Sequence, residues 1–187
     1  SEVHCFEPIP STFAHLKANI ELNRVSHLCS AHNKGVGENN DSLTFISDRD
    51  TVNHVSTSGI GISVPVVRLD DCVLPNKPLF IKVDVEGYET YVINGGATIF
   101  EHNHNMMGLI IELNGSGQRY GESDLAIHEK LIGYDFASFL YDPLKRSLLP
   151  TQRPGDHNTI YIKKANLSII EARLVSAPKR KILGITF

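Results

Sequence analysis

The sequence lacks an excess of positive charge, a membrane-length apolar run and any closely spaced pair of cysteines. Its 187 residues carry a net charge of −3, which gives no electrostatic reason to expect a nucleic-acid partner. Because no apolar run reaches about 20 residues, we expect no membrane span, and the start SEVHCFEPIP is not typical of a signal peptide. The three cysteines lie far apart, which favours reduced thiols in a cytoplasmic protein over a disulfide framework or a zinc site.

The order of the residues is more informative than their totals. The composition, 41% hydrophobic and 21% charged, is that of an ordinary globular protein with a full core. Strand-like and helix-like patterns alternate, and some strand-like runs, such as 79–83 and 108–113, are almost continuously apolar. Such runs are typical of strands that are covered on both faces. The sequence therefore predicts an α/β fold with a mostly parallel sheet and helices on both faces.

Polar residues stand where several of these strand-like runs end. In open α/β sheets, ligands bind outside the carboxyl ends of the strands. On this ground the candidate site residues are Glu7, Asp84, Glu86, Glu112 and Asn114.

The sharpest of these features is the pair Asp84 and Glu86 in KVDVEGYE. Side chains two residues apart on a strand point to the same side, so both carboxylates face one edge of the predicted sheet. A carboxylate there can orient a substrate hydroxyl, remove its proton or hold a metal. The alternative is that one of the two caps a helix that begins near Gly87. Glu7 could accept hydrogen bonds from the hydroxyls of a ribose, or be a solvated carboxylate at a strand end.

Two other motifs give weaker signals. GSGQRYG at 115–121 lies between a strand-like and a helix-like run, but its third glycine comes one place late for the dinucleotide-binding pattern GxGxxG. It predicts a flexible loop on the substrate side or, as an alternative function, a nucleotide-dependent oxidoreductase. His102 and His104 have no third ligand at a fixed spacing, so we predict no metal site.

Four motifs taken together carry a family resemblance. They are Phe6-Glu7-Pro8 with Pro10; Leu16, Asn19 and Asn23 in a helical pattern; Val64-Pro65 with Leu69-Asp70-Asp71; and Ile81-Lys82 with Asp84-Val85-Glu86-Gly87 and Glu89. In this order and spacing, the chain resembles the FkbM family of S-adenosylmethionine-dependent methyltransferases. The resemblance covers about residues 3–165, so we predict a methyltransferase domain over 1–165 and a C-terminal helix and tail over 166–187.

The resemblance implies a Rossmann-like methyltransferase sheet that binds S-adenosylmethionine. Glu7 would hold the ribose of this donor, and Asp84 would lie beside the sulfonium and the acceptor. Asp84 and Glu86 would then be the catalytic pair, with Glu112 and Asn114 on the acceptor side. The implied reaction is O-methylation of a hydroxyl on a small molecule, a glycan or a lipid, such as a sugar or a secondary metabolite.

In one respect the sequence departs from the family pattern. The family has an earlier strand and a Gly-rich turn for the methionine part of the donor, and neither precedes VHCFEP here. We therefore expect this chain to bind the donor poorly. Three outcomes are open for the exposed edges of the strands VHCFEP and FIKVDV: the two strands pair directly, an added segment fills the gap, or the gap remains. The added segment would be the apolar tail 182–187 or a strand from a second copy in a homo-oligomer. A scaffold that keeps the fold without the donor site is the remaining alternative.

Overall fold

The computed structural model describes residues 2–46, 54–72, 79–155, 157–179, 181–182 and 185–186. Within these residues the chain is a mixed α/β protein. The strands are β1 (Val3–Phe6), β2 (Cys29–His32), β3 (Gly35–Gly37), β4 (Asp41–Phe45), β5 (Ile62–Arg68), β6 (Phe80–Val83), β7 (Gly108–Glu112), β8 (Phe136–Asp142), β9 (Ser147–Pro150), β10 (Asn158–Lys163), β11 (Lys181–Ile182) and β12 (Ile185–Thr186). The helices are α1 (Pro10–Leu22), α2 (Glu89–Gly95), α3 (Ala97–His102), α4 (Asp124–Gly133) and α5 (Leu167–Ser176).

The chain forms two compact units. The first comprises Ser1–Val73 with Thr90–Ala97, and the second comprises Leu74–Glu89 with Thr98–Phe187. The predicted division into 1–165 and 166–187 rests on the family resemblance and differs from these two units, and it stays a prediction.

The first unit contains two small sheets. Strands β1 and β2 pair in parallel, and β5 lies between β3, its parallel neighbour, and β4, its antiparallel neighbour. Helix α1 begins at Pro10, because proline is well suited to the first helical turn, where its missing N–H costs no hydrogen bond. The buried apolar side chains of this unit include Ile9, Phe45, Val55, Val64, Val66, Leu69, Val92 and Ile93.

The second unit is built on a five-stranded sheet with the order β6-β7-β10-β8-β9. Only β6 and β7 pair in parallel in this sheet, whereas β10 is antiparallel to both β7 and β8, and β9 is antiparallel to β8. The prediction of a mostly parallel sheet is therefore wrong, and the sheets are mixed. The reason is that a continuously apolar strand is compatible with either direction once both of its faces are covered.

Strand β7 occupies the interior of this sheet. Leu109 and Ile111 are completely buried, and burial of an aliphatic side chain of this size contributes about 1.5–3 kcal/mol. Helix α4 adds Ile127 and Leu131 to the same core. Further buried side chains of the unit are Val83, Phe100, Met106, Leu113, Phe136, Phe139, Tyr161 and Ile162.

The C-terminal tail forms a small hairpin in which Lys181–Ile182 pairs with Ile185–Thr186. The described tail residues thus pair with each other, and the expected insertion of 182–187 beside an exposed strand edge is not observed for them. The sequence also predicts a polar connection over 48–63 that contacts the acceptor, and this segment lies partly outside the described residues. No helix within the described part of the chain is both long and apolar enough to cross a membrane.

Candidate functional site

Three carboxylates of the second unit meet at the ends of β6 and β7. Because these strands are parallel, with Val83 opposite Ile111, their carboxyl ends lie at the same edge of the sheet. Asp84 directly follows β6 and Glu112 is the last residue of β7. One carboxylate oxygen each from Asp84, Glu86 and Glu112 lies within 4.8 Å of the others. Three of the five residues selected from the sequence thus form one cluster.

The carboxyl groups of Asp84 and Glu112 differ in their affinity for protons. Burial acts to raise the pKa of Asp84, but hydrogen bonds with Lys82 and Glu112 and the charge of Lys82 hold it below its ordinary value. The pKa of Glu112 is raised, first by its hydrogen bond with Asp84 and then by burial and by the charges of Asp84 and Glu86. A pair of carboxyl groups whose pKa values are pushed apart can share one proton. In this pair Asp84 is the ionised member and Glu112 the better proton acceptor.

The third carboxylate sits on a turn with unusual backbone angles. Glu86 has a φ of 54° and Gly87 a φ of 99°, both in the left-handed region. This conformation is unfavourable for a residue with a side chain, and such strained residues cluster at functional sites. The strain at Glu86 is therefore an independent reason to consider this turn functional.

The carboxylate that accepts the free N–H groups of this turn is that of Glu89. This side chain is 4% exposed, and its Oε1 accepts hydrogen bonds from the backbone N–H of Gly87 at 3.1 Å and of Val85 at 3.4 Å. Helix α2 begins at Glu89 rather than near Gly87. Glu89, to which the sequence assigned no role, thus accepts the N–H groups of this turn, and the alternative that Asp84 or Glu86 caps the helix stays a prediction.

Gly87 packs directly on the loop 115–121. A Cβ at Gly87 would lie 2.6 Å from the carbonyl oxygen of Ser116, so no larger residue fits without movement of this loop. The loop is a 3-10 helix, Ser116–Tyr120, between Gly115 and Gly121, which have left-handed φ angles of 81° and 78°.

Four of the seven backbone amides of the loop 115–121 donate to acceptors in the loop or next to it. The N–H groups of Gly115 and Ser116 donate to the side chains of Asp124 and Asn114, at 2.9 and 3.0 Å. Those of Gln118, Gly121 and Glu122 donate to carbonyl oxygens of the loop itself. A phosphate-binding turn requires such amides to be free for the ligand. The arrangement therefore disfavours the alternative of an oxidoreductase that binds a nucleotide at 115–121.

Asn114, the fourth selected residue of this unit, follows Glu112 by two positions and is exposed. Its Oδ1 accepts the N–H of Ser116, and the residue lines a shallow open pocket together with Asp124. Its predicted role on the acceptor side stays a prediction.

Glu7 belongs to the first unit, just beyond the end of β1. Its backbone N–H donates to the carbonyl oxygen of His32 at 3.1 Å, and its Oε1 accepts the N–H of Ile9 at 2.7 Å. Asn33 fixes the same strand end by donating to the carbonyl oxygens of Glu7 and Pro8, both at 2.9 Å. Burial raises the pKa of Glu7, although the Ile9 hydrogen bond opposes this. The side chain is thus held in place by one oxygen, and the other remains available as an acceptor.

Sequence reasoning assigned no role in the site to three residues of the second unit: Lys82, Glu89 and Asp124. Lys82 could have been found, because it stands two residues before Asp84, the residue that directly follows β6, and forms an ion pair with it. Glu89 belongs to the motif DVEGYE, but nothing in the local pattern indicates its burial. Asp124 is the first residue of α4, and its side chain accepts the N–H of Gly115, nine residues earlier. The local sequence pattern does not predict this hydrogen bond.

The two histidines set aside at the sequence level remain apart from this site. His102 lies 3.8 Å from Glu101 on the surface of the second unit. The prediction that the protein has no metal site stays a prediction, and within the described residues the group able to hold an ion is the acidic cluster itself.

Comparisons with known proteins identify the family. The model of the methyltransferase FkbM domain matches residues 1–138. Among solved structures, the chain is similar to a methyltransferase FkbM from Methylobacillus flagellatus KT, at 17% identity and a TM-score of 0.56. The match covers 86% of this chain but only 36% of that one, so the chain spans about a third of the length of this solved relative. The comparison with curated proteins found no match. Because the domain model covers well over half of the 187 residues, the chain belongs to the FkbM methyltransferase family.

Proposed function

We propose that the protein carrying this chain transfers a methyl group from S-adenosylmethionine to a hydroxyl of an acceptor molecule. The observation that carries this proposal is the cluster of Asp84, Glu86 and Glu112 at the carboxyl ends of two parallel strands, within a chain of the FkbM methyltransferase family. Ligands of α/β proteins bind at this position of the sheet. A group of carboxylates there is suited to binding and deprotonating a hydroxyl.

Glu7 fits the ribose part of the donor. Its Oε1 is fixed by the N–H of Ile9, which leaves Oε2 to accept a hydrogen bond from a ribose hydroxyl. Partial burial of this carboxylate strengthens such a bond, because water competes less with the ligand. Among the described residues we assign none to the methionine part of the donor. When bound, S-adenosylmethionine would supply an electrophilic methyl group.

Asp84 is proposed to orient the acceptor hydroxyl. Its low pKa keeps it ionised and therefore an acceptor of hydrogen bonds, but the same low pKa makes it a weak base. As the hydroxyl oxygen bonds to the methyl carbon and the carbon–sulfur bond breaks, the hydroxyl proton has to leave. Glu112, whose pKa is raised, is the better final acceptor of that proton when it is ionised. The negative charge of Glu86 favours transfer of the proton to Glu112.

Substitutions that preserve shape separate these roles in the complete protein. Asp84→Asn should lower kcat much more than donor affinity, since it removes the charge that orients the hydroxyl. Glu7→Gln should weaken the binding of S-adenosylhomocysteine by about 1.5–3 kcal/mol, because it replaces an acceptor oxygen by a donor. The matched control is Glu171→Gln, on an exposed position of α5. Calorimetry gives the affinity, and transfer of a labelled methyl group gives kcat.

Two results would refute the proposal. If reduced nicotinamide cofactors bind and S-adenosylhomocysteine does not, the protein is an oxidoreductase. If neither ligand binds to the complete protein, this chain is a scaffold that keeps the family fold. Unchanged methyl transfer by Asp84→Asn would leave the function standing and show that Asp84 is structural.

A further inference from the structure

Positive charge is concentrated in one part of the chain. Residues 143–181 contain nine lysines or arginines and two acidic residues, which gives this segment a net charge of +7. The rest of the sequence has a net charge of −10, so the two parts together give the −3 of the whole chain. An asymmetry of this kind is typical of chains that bind a nucleic acid or a membrane surface. The whole basic segment belongs to the second unit.

Part of this positive charge is used inside the unit. Lys163 is buried, and Lys164 forms an ion pair with Asp135 at 3.2 Å. By contrast, Arg173 and Lys179 are exposed, and their side chains make no hydrogen bond or ion pair with any described residue. These two charges are therefore available to a partner.

The turn between β8 and β9 lies against the C-terminal end of α5. The guanidinium of Arg146 in this turn donates to the carbonyl oxygen of Ala177, the residue that follows α5, at 2.6 Å. Leu144 stands two residues before Arg146 and is 66% exposed, and Val175 stands two residues before Ala177 and is 80% exposed. Two exposed apolar side chains thus stand close to the place where the turn and the helix end meet.

We call the turn 143–146 together with the segment 173–179 the basic end. Its sequences are PLKR and RLVSAPK, with four positive charges and no acidic residue. The nearest acidic residues along the chain are Asp142, which lies 3.6 Å from Lys145, and Glu171 in α5. The basic end therefore combines a positive charge with exposed aliphatic side chains.

An anionic lipid bilayer matches both of these properties. Its negative surface potential attracts lysines and arginines, whose aliphatic stems and any neighbouring apolar side chains enter the interfacial region. Tyr141, which is 41% exposed near the end of β8, is of a residue type that favours this region. A nucleic acid would use the charges through its phosphates but would leave Leu144 and Val175 in water. The exposed apolar side chains thus favour the bilayer.

We propose that the basic end docks on an anionic lipid bilayer. Arg173 and Lys179 contact the phosphates of the headgroups, and Leu144 and Val175 insert between the lipids. This interaction is independent of the proposed methyl transfer, because neither the acidic cluster nor Glu7 belongs to the basic end.

The test is sedimentation of the complete protein with extruded vesicles. One set of vesicles consists of phosphatidylcholine alone, and the other of phosphatidylcholine with an equal part of phosphatidylglycerol. We expect binding to the anionic vesicles that weakens as sodium chloride is raised, because salt screens the attraction. Binding to the neutral vesicles should be weaker by about tenfold or more.

A double substitution tests the contribution of charge. Arg173→Gln with Lys179→Gln should weaken binding to the anionic vesicles roughly fivefold for each charge removed. Lys17→Gln with Arg24→Gln is the matched control, since it makes the same change of net charge at exposed positions of the first unit. The control should bind as the parent does.

Single substitutions test the insertion of the apolar side chains. Leu144→Ser and Val175→Ser should each weaken binding to the anionic vesicles roughly fivefold. Leu22→Ser on α1 is the matched control, because Leu22 is 80% exposed, as is Val175, and it should leave the affinity unchanged. Circular dichroism shows whether each variant folds, and if one does not, the other variants carry the test.

Absence of binding to the anionic vesicles would overturn the proposal, as would equal binding to the neutral ones. Full affinity in the folded double variant, or in both folded serine variants, would overturn the assignment to the basic end. If soluble glycerophosphoglycerol competes as well as the same amount of lipid in vesicles, the ligand is a free headgroup and not a bilayer. If Arg173→Gln with Lys179→Gln abolishes binding of a DNA oligonucleotide and the vesicles do not bind, the surface is a nucleic-acid site and the proposal is wrong.

Discussion

Substitution of Gly87 by alanine tests whether the acidic turn and the loop 115–121 form one rigid assembly. The change adds a single methyl group at a backbone φ of 99°. That methyl group would lie 2.6 Å from the carbonyl oxygen and 3.1 Å from the Cβ of Ser116. Real Cβ atoms do not approach a backbone oxygen so closely, so either the turn or the loop has to move.

The expected magnitude has two parts. An alanine in the left-handed region costs about 1–2 kcal/mol. Overpacking against a backbone that cannot move freely adds about 1–3 kcal/mol. Gly87→Ala should therefore lower the free energy of unfolding by about 2–5 kcal/mol, a large share of the 5–15 kcal/mol of an ordinary domain.

Gly121→Ala is the matched control, because Gly121 has a similar φ of 78° but no atom within 4 Å of the added Cβ. It should show only the backbone cost of about 1–2 kcal/mol. Urea unfolding of the three proteins gives both values, and amide NMR should show shifts at Ser116 and Gly117 for Gly87→Ala. Equal destabilisation by the two substitutions would refute the close packing of the turn on the loop.

The remaining predictions concern charged side chains of the second unit. Burial raises the pKa of Glu89 in spite of the N–H bonds that it accepts, so its protonated form favours folding. This contribution is complete below the ordinary glutamate pKa of about 4.3 and is lost as pH rises through the raised pKa. As pH rises through this range, the stability of Glu89→Gln should therefore increase relative to that of the parent, as measured by urea unfolding at each pH. Lys163→Met should cost about 1.5–3 kcal/mol, since it removes the charged hydrogen bond from Nζ to the carbonyl oxygen of Tyr134. Lys164→Met, which removes only an exposed ion pair with Asp135, should change the free energy of unfolding by less than about 1 kcal/mol. Lys82→Met should raise the pKa of Asp84 in carboxyl NMR titrations, and an unchanged pKa would mean that the ion pair does not set it.

Most single elements of the fold could be predicted from local pattern. The apolar spacing of 123–134 predicts a helix, and α4 spans Asp124–Gly133. The run 136–142 predicts a strand that the structure reproduces as β8. Hydrophobic periodicity and turn residues are signals within short stretches of sequence. Single helices and strands can therefore be predicted without knowledge of contacts between distant residues.

Strand direction could not be predicted in the same way, because it depends on how the chain returns. Asp142 Oδ1 accepts the N–H groups of Leu144 and Lys145, both at 3.0 Å, and this turn makes β8 and β9 an antiparallel hairpin. An aspartate that accepts such bonds is a local turn signal. The insertion of β10 between β7 and β8 has no local signal, since it joins residues that are far apart in sequence.

The same distinction applies to the candidate site: one part of it follows from local sequence, and the other depends on which strands pair. Alternation along β6 is enough to place Lys82 and Asp84 on one face, and the strand end is enough to place both near a ligand. The different proton affinities of Asp84 and Glu112 require the parallel pairing of β6 with β7, because that pairing brings their carboxyl groups into hydrogen-bond contact. If the second carboxylate stood on a strand distant from β6, Asp84 would keep its ion pair with Lys82 but lose the neighbour that can take the proton. The chemistry proposed for the site is therefore a property of two adjacent strands rather than of the motif DVEG alone.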